Sequence, residues 1–368
     1  MTERPPRYIP GLDGLRAIAI LVVIVHNTSI NEANDTLIAR VWTAITDSGW
    51  IGVQLFFVLS GFLITGLLLD GRDKPRALRT FYARRALRIF PLYYVFLIGR
   101  FLVLPLVLPA VAVGFSTQIW YWLYLSNWSD LVQGPINGMG HFWSLAVEEQ
   151  FYLSWPVLVR KLRLRTFVIV CVALVASSLV ARIAFLFAGV DRAWMYSATI
   201  SRVDALAIGA LVAVAARASL GPRYVRARRR AAAIAVAGMA IVAVHAHGLS
   251  RFNPEIQTIG YTLLAVVFGV VVAELAEPRR ARGLRVLELP VLCTVGRYSY
   301  AMYVFHAPIN VAIQYFARGW ILQHTGSHPI VMDVVWTLSI AVASFVLALV
   351  SHTLIEAPFL KLRPRTPA

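Results

Sequence analysis

A histidine and two adjacent carboxylates stand within apolar stretches of the sequence, where ionisable groups are costly and are therefore functional candidates. His26 ends one apolar run, and Glu148 and Glu149 lie one to two turns into another. A neutral imidazole in a dry pocket can be a general base, a nucleophile or a hydrogen-bonded core group. At about 100° per residue, Glu148 shares a helical stripe with His141 and Tyr152, whereas Glu149 points about a quarter-turn away. One carboxylate can thus face a cavity while the other contacts a structural partner.

A basic cluster and an acid–base pair mark the ends of two apolar runs. Arg85 and Arg88 are three residues apart and share a helical face, which suits a phosphorylated ligand. Such clusters also anchor helices or contact anionic lipid. Asp13 and Arg16 open the first apolar run, where Arg16 is either an anchor at the membrane edge or part of a site.

Two further polar pairs have both structural and functional interpretations. Arg202 and Asp204 lie two residues apart, so they can pair with each other, or Asp204 can contact a substrate. Tyr303 and His306 are three residues apart on one helical face. They can contact a substrate or form hydrogen bonds between helices.

The composition excludes a water-soluble enzyme. Of 368 residues, 59% are hydrophobic and 14% charged, and the mean hydropathy is +0.69, whereas soluble domains carry about 25% charged residues. The net charge of +17 would suggest nucleic acid in a soluble protein, but the basic residues fall between apolar runs. No metal-binding motif is present, and Cys171 and Cys293 are interpreted as packing residues.

The apolar runs predict an all-α integral membrane protein, because a bilayer core of about 30 Å requires about 20 helical residues. We expect about ten transmembrane helices in a domain of residues 1–360, a short basic cytoplasmic tail of residues 361–368 and no soluble domain. The predicted spans are 15–32, 48–69, 90–113, 143–161, 166–188, 203–217, 231–247, 257–275, 290–315 and 333–354.

The distribution of basic residues predicts the orientation. Alternate connections and the two ends hold 27 of the 35 Lys and Arg, and the other connections hold five. Since short cytoplasmic loops are enriched in Lys and Arg, both termini are predicted to be cytoplasmic in a plasma-membrane protein. His26 and Glu148 are then both expected near the outer side, at matching depth.

Five segments together resemble the acyltransferase-3 family of integral membrane O-acyltransferases. They are Asp13–Arg16 followed by His26, the FFVLSGF segment at 56–62, Arg84–Pro91, the WSLAVEEQFY segment at 143–152 and Tyr300–Pro308. They follow one another in order over nearly the whole chain.

The resemblance implies ten helices and transfer of an acyl group, expected to be acetyl, from cytoplasmic acyl-CoA to a carbohydrate hydroxyl. The acceptor is a surface polysaccharide or lipid-linked glycan, or alternatively a small glycoside or macrolide antibiotic. CoA is a donor substrate, and no tightly bound cofactor is expected. No nucleic-acid partner is expected. Membrane lipid is expected to surround the chain.

We expect His26 to be the catalytic base or to form an acyl-imidazole, and Glu148 to orient its ring. The expected donor-binding residues are Arg16, Arg85 and Arg88. The expected substrate-binding residues are Asp13, Glu149, Asp204, Tyr303 and His306.

Two departures from the family pattern bear on these expectations. Nine residues separate Arg16 from His26, whereas the family pattern has ten, which rotates His26 by roughly 80° around the helix. Either local unwinding restores the register, or the two side chains do not act on one ligand. Many relatives carry an additional esterase-like domain, and we expect this chain to act without it or with a separate partner.

A proton-coupled transporter is the alternative from another functional class. Buried His and Glu side chains can relay protons, and ten helices would serve. The sequence shows no internal repeat or paired Gly/Pro-broken spans, which transporters of this kind commonly have.

Overall fold

The computed structural model describes residues 8–28, 36–218, 220–277, 282–324 and 329–364, and within them it is helical without β-strands. The α-helices of these residues are α1 (Pro10–Thr28), α2 (Leu37–Asp47), α3 (Ile51–Asp70), α4 (Ala77–Ile98), α5 (Leu104–Val107), α6 (Phe115–Trp122), α7 (Ser126–Val132), α8 (Phe142–Lys161), α9 (Leu164–Phe187), α10 (Arg192–Ser197), α11 (Thr199–Ala215), α12 (Pro222–His245), α13 (Tyr261–Ala276), α14 (Pro290–His324), α15 (Pro329–Ser351) and α16 (Ala357–Lys361).

Seven helical segments of the described residues are long and apolar enough to cross a membrane. They are Pro10–Thr28, Leu37–Asp70, Ala77–Val107, Leu164–Phe187, Arg192–Ala215, Ile256–Ala276 and Ile330–Lys361. Every predicted span overlaps a helix of the described residues, although positions 29–32 of the first span lie outside them. The other three spans correspond to α8, α12 and α14, of 20, 24 and 35 residues. The prediction of an all-α protein with several membrane helices is confirmed, and the count of ten stays a prediction.

Close approach of helix backbones builds the centre of the bundle. On α3, a Cβ at Gly61 would meet the backbone carbonyl of Leu206, and on α11 a Cβ at Gly209 would meet that of Val58. Only glycine permits this contact. The two helix backbones therefore approach each other directly at these glycines, and α1 and α8 also pack against α3.

The predicted pairing of Arg202 with Asp204 is wrong. Asp204 pairs with Arg182 of α9 at 2.9 Å, and both side chains are fully buried. The Asp204 carboxylate also accepts hydrogen bonds from the Thr262 hydroxyl and from the backbone N–H of Ala205. Residues two apart on a helix point in different directions, so Asp204 takes its partner from the neighbouring helix.

Arg202 instead lies among aromatic rings. Its guanidinium is within 4.2–5.6 Å of the ring centroids of Tyr261, Tyr196, Trp143 and Phe57. These are cation–π distances, and the described residues offer its nitrogen atoms no hydrogen-bond acceptor.

One end of the bundle, which we call the basic end, carries the arginines before α4, between α8 and α9 and at the start of α12. The last described residue, Pro364, also lies at the basic end, because Arg84 donates two hydrogen bonds, of 3.0 and 2.7 Å, to its carbonyl. Residues 1–7, 278–281 and 365–368 lie outside the described residues. Arg4, Arg7, Arg279 and Arg280, which are among the 27 counted basic residues, and half of the predicted 361–368 tail fall there.

Candidate active site

A small cavity of about 90 Å³, the inner cavity, opens between α1, α3, α4, α8 and α14 toward the basic end. Six predicted site residues line it together: Arg16, Arg85, Arg88, Glu148, Glu149 and Tyr303. They come from four helices. The arginines supply several guanidinium donors, and guanidinium binds phosphate well. The cavity can therefore accept a phosphorylated ligand.

Hydrogen bonds fix Glu148 inside this cavity. Its carboxylate accepts bonds from the Ser60 hydroxyl at 2.7 Å and from the Tyr152 phenol at 3.0 Å. Arg85 lies over the ring of Tyr152, 3.7 Å from its centroid. Glu148 thus positions a phenol ring that in turn supports an arginine.

A second cavity of about 350 Å³, the outer cavity, lies toward the opposite end of the bundle. His26 lines it, with His141 and Arg251. Aromatic and amide side chains complete the wall; they include Asn27, Trp50, Asn137, Trp143, Tyr196, Phe252, Asn310 and Gln314. Aromatic faces with amide groups suit a polar ligand that has an apolar face, such as a sugar ring.

Both ring nitrogens of His26 have partners. Nδ1 lies 2.8 Å from the backbone carbonyl of Thr46, at the end of α2. Because a carbonyl only accepts hydrogen bonds, Nδ1 carries the proton of the neutral ring and Nε2 keeps the lone pair. The guanidinium of Arg251 contacts Nε2. The basic nitrogen of His26 therefore faces Arg251.

Tyr303 and Val53 line both cavities and separate them. The Tyr303 phenol is hydrogen-bonded to the Ser144 hydroxyl at 2.6 Å and donates to the backbone carbonyl of His141 at 3.1 Å. One phenol ring and one isopropyl group thus belong to the wall that the inner and outer cavities share.

His306, which the sequence pattern pairs with Tyr303, lies behind the wall formed by Tyr303 and Val53 and is fully buried. Its Nδ1 is 2.7 Å from the Tyr303 carbonyl and its Nε2 is 3.2 Å from the Asn27 amide. Both nitrogens are satisfied, which agrees with the alternative of hydrogen bonding between helices. His306 therefore reaches the outer cavity only through its neighbours.

The predicted match in depth between His26 and Glu148 is wrong. A Cβ at Gly49 of the segment entering α3 would meet His26, while Ser60, the partner of Glu148, lies eleven residues further on. At 1.5 Å per residue, this separates the two levels by about 16 Å along α3. Residues 135–141 fold inward and line the outer cavity. Because α8 begins at Phe142, after this inward segment, Glu148 lies near the middle of the bundle, at the level of Ser60 in the centre of α3, and does not contact His26.

Arg16 and His26 also lie in different cavities. The helix α1 is continuous from Pro10 to Thr28, so no unwinding restores the family register. Arg16 points into the inner cavity, where its Nε donates to the Ser299 hydroxyl at 3.2 Å. Of the two alternatives for the shortened spacing, the structure thus excludes local unwinding, and it places the two side chains in separate cavities.

Asp13 and Asp204 line neither cavity. Asp13 accepts a hydrogen bond of 2.8 Å from the Tyr8 phenol at the start of α1. Asp204 belongs to the buried ion pair with Arg182. The structure thus brings the arginines of α1 and α4 together with the glutamates of α8, and it places the two aspartates apart from them.

Sequence reasoning missed two residues of the outer cavity. Arg251 lies in the connection after α12, where a single basic residue on the predicted external side gave no signal. His141 was noticed only for its spacing from Glu148. Its ring lies 4.6 Å from that of His306, and neither of its buried nitrogens has a hydrogen-bond partner in the described residues. An unpartnered imidazole at a cavity wall is available to a ligand.

Comparisons with known proteins identify the family. Residues 9–353 match the acyltransferase domain of the Acyl_transf_3 family. The chain is 27% identical to O-acetyltransferase OatA of Staphylococcus aureus (strain NCTC 8325 / PS 47), over 97% of this chain and 58% of that protein. It is also 27% identical to peptidoglycan O-acetyltransferase OatA of Listeria monocytogenes serovar 1/2a, over 98% and 57%. YrhL of Bacillus subtilis (strain 168) is 30% identical over 83% of this chain and 49% of YrhL.

The chain therefore spans about half to three-fifths of the length of these relatives. No solved structure matches it. The match over residues 9–353 covers nearly the whole sequence, from the start of α1 to the end of α15, and includes every residue that lines the two cavities. The chain belongs to the acyltransferase-3 family.

Proposed function

We propose that this protein transfers an acyl group, expected to be acetyl, from acyl-CoA to a hydroxyl of a surface or lipid-linked carbohydrate. The observation that carries the proposal is the pair of cavities of different chemistry that meet at Tyr303 and Val53. One suits a phosphorylated donor and the other a sugar. Relatives named as O-acetyltransferases, one of them of peptidoglycan, support this donor and acceptor class.

The donor is proposed to bind from the basic end, which we place in the cytoplasm because Lys and Arg accumulate on that side. Its phosphates would contact Arg16, Arg85 and Arg88. The narrow pantetheine arm would then pass between Tyr303 and Val53 and bring the thioester to His26. Displacement of these two side chains would open the passage.

The acyl transfer is proposed to occur in the outer cavity. His26 would take the proton of the acceptor hydroxyl through Nε2, while the hydroxyl oxygen attacks the thioester carbonyl and the C–S bond breaks. The imidazolium would return the proton to the leaving thiolate. The Thr46 carbonyl holds the ring orientation throughout, and His141 would contact the acceptor. Glu148 would act in the inner cavity, where it positions Tyr152 and Arg85.

Purified protein in detergent, given acetyl-CoA and glycan acceptors, tests the proposal by thioester consumption and product mass. His26→Ala and His26→Gln should fold and transfer nothing, because glutamine keeps volume and a hydrogen bond but takes no proton at neutral pH. Glu148→Gln should raise the KM for acetyl-CoA more than it lowers kcat. Appreciable turnover by folded His26→Gln would exclude the imidazole as base or nucleophile.

The family membership favours an acyltransferase over the transporter alternative. A transporter would move its substrate without consuming thioester. The same assay therefore separates the two functions.

A further inference from the structure

Arg251 occupies the nitrogen that the proposed reaction requires. Its guanidinium contacts Nε2 of His26, and Nδ1 of that ring is bonded to Thr46. A guanidinium is always protonated near neutral pH and only donates. With Arg251 in this position, His26 has no free lone pair with which to take a proton from an acceptor.

The charge of Arg251 has no counter-ion in the part of the chain that the structure describes. No ion pair includes it, and no Asp or Glu is among the residues that line the outer cavity. The side chain is held by the rings of Phe252 and Tyr196, at 4.8 and 5.5 Å from their centroids. Its backbone carbonyl accepts a hydrogen bond of 2.7 Å from the Tyr261 phenol. The backbone is thus fixed, while the guanidinium is an unneutralised cation at a cavity wall.

We infer that Arg251 recognises an anionic group, a carboxylate or phosphate, of the acceptor, and that this contact releases Nε2 of His26. The inference rests on the proposed acyl transfer at His26. A carboxylate or phosphate forms often bidentate bonds with a guanidinium in which both partners are charged, whereas a neutral imidazole nitrogen accepts a single bond and carries no charge. An anionic acceptor therefore displaces the imidazole from Arg251, whereas a neutral sugar does not.

This arrangement couples recognition to chemistry. The base becomes available only when an acceptor with the correct charge fills the cavity. Arg251 is then a positioning and specificity residue, and it would limit wasteful hydrolysis of the donor when the outer cavity is empty.

The kinetic test uses an oligosaccharide containing N-acetylmuramic acid and its carboxyl methyl ester, which removes the charge, together with a phosphorylated sugar, N-acetylglucosamine 1-phosphate. Wild-type protein should have a lower KM for one of the anionic acceptors than for the ester. Arg251→Gln should raise that KM by on the order of 10- to 100-fold with a smaller change in kcat, and leave the KM for the ester unchanged or lower. Arg251→Lys should restore part of the preference.

Arg40→Gln is the matched control, because Arg40 is an exposed arginine of α2 that does not line the outer cavity. It should keep the wild-type preference. A KM for both anionic acceptors that is no lower than that for the ester would overturn the inference while leaving acyl transfer established. Absence of transfer to every acceptor would instead count against the proposed function.

A second measurement decides the inference without turnover. Diethyl pyrocarbonate modifies imidazole nitrogens that have a free lone pair, and peptide mass spectrometry reports the rate at His26. N-acetylmuramic acid or inorganic phosphate should accelerate modification of His26 several-fold in the wild type, and the methyl ester should not. In Arg251→Gln the rate should be high without any addition. A His26 rate that neither anion nor the Arg251→Gln change alters would overturn the inference.

Discussion

Replacing Asp204 by Asn should destabilise the protein without changing its recognition of acceptor. Asp204 and Arg182 are fully buried 2.9 Å apart, and Thr262 and the Ala205 backbone donate to the same carboxylate. The substitution removes the counter-charge of a buried guanidinium, for which the expected loss is about 3–5 kcal/mol in the free energy of unfolding. Unfolding in detergent, followed by tryptophan fluorescence, measures this loss, and assays on the folded fraction give KM for the acceptor.

Asp70→Asn is the control for this prediction. It removes the same charge from an ion pair in which the Asp70 carboxylate lies 2.6 Å from the Arg217 guanidinium. In this pair, however, the side chain of Arg217 is 22% exposed and that of Asp70 is 61% exposed. Solvent screens such pairs, so the expected loss is about 0–1 kcal/mol. If Asp204→Asn were as stable as Asp70→Asn, or raised KM for the acceptor at unchanged stability, the assignment of Asp204 to the core rather than to a substrate would be refuted.

Three further predictions follow from the arrangement of the cavities and charges. Reporter tags at both termini should locate to the cytoplasm and a tag within residues 114–140 to the outside; an external C-terminus would contradict the orientation. Arg85→Ala should weaken acyl-CoA binding by about 1.5–3 kcal/mol, as measured by titration, whereas Arg84→Ala, which loses its bonds to Pro364, should bind acyl-CoA as the wild type does. Val53→Trp should retain acyl-CoA binding and lose transfer, and unimpaired turnover would place the donor path elsewhere.

The sequence predicted the helices well because membrane helices depend on length and apolarity, which are local properties. The family motifs also grouped Arg16, Arg85 and Arg88, and these three side chains line one cavity. The sequence grouped Glu148 with His26 instead, whereas the structure places Glu148 in the cavity of the arginines.

Contacts between segments distant in sequence could not be predicted in the same way. The depth of Glu148 depends on the inward course of residues 135–141, which no periodicity reveals. The contact of Arg251 with His26 joins residues 225 positions apart. Arg182 did carry a signal, since an arginine inside an apolar span needs a buried acid, but the sequence offered several candidate acids.

The wall that the two cavities share at Tyr303 and Val53 has a consequence for a cell in which the proposed reaction takes place. In that reaction an acyl group crosses the membrane barrier, yet an open channel between the two cavities would let protons flow down their gradient and dissipate the energy stored there. A phenol ring held by Ser144 and the His141 carbonyl would keep such a channel shut between turnovers. If only a thin, uncharged arm displaces the ring, the arm itself plugs the opening. Acyl groups can then be exported without electrical leakage.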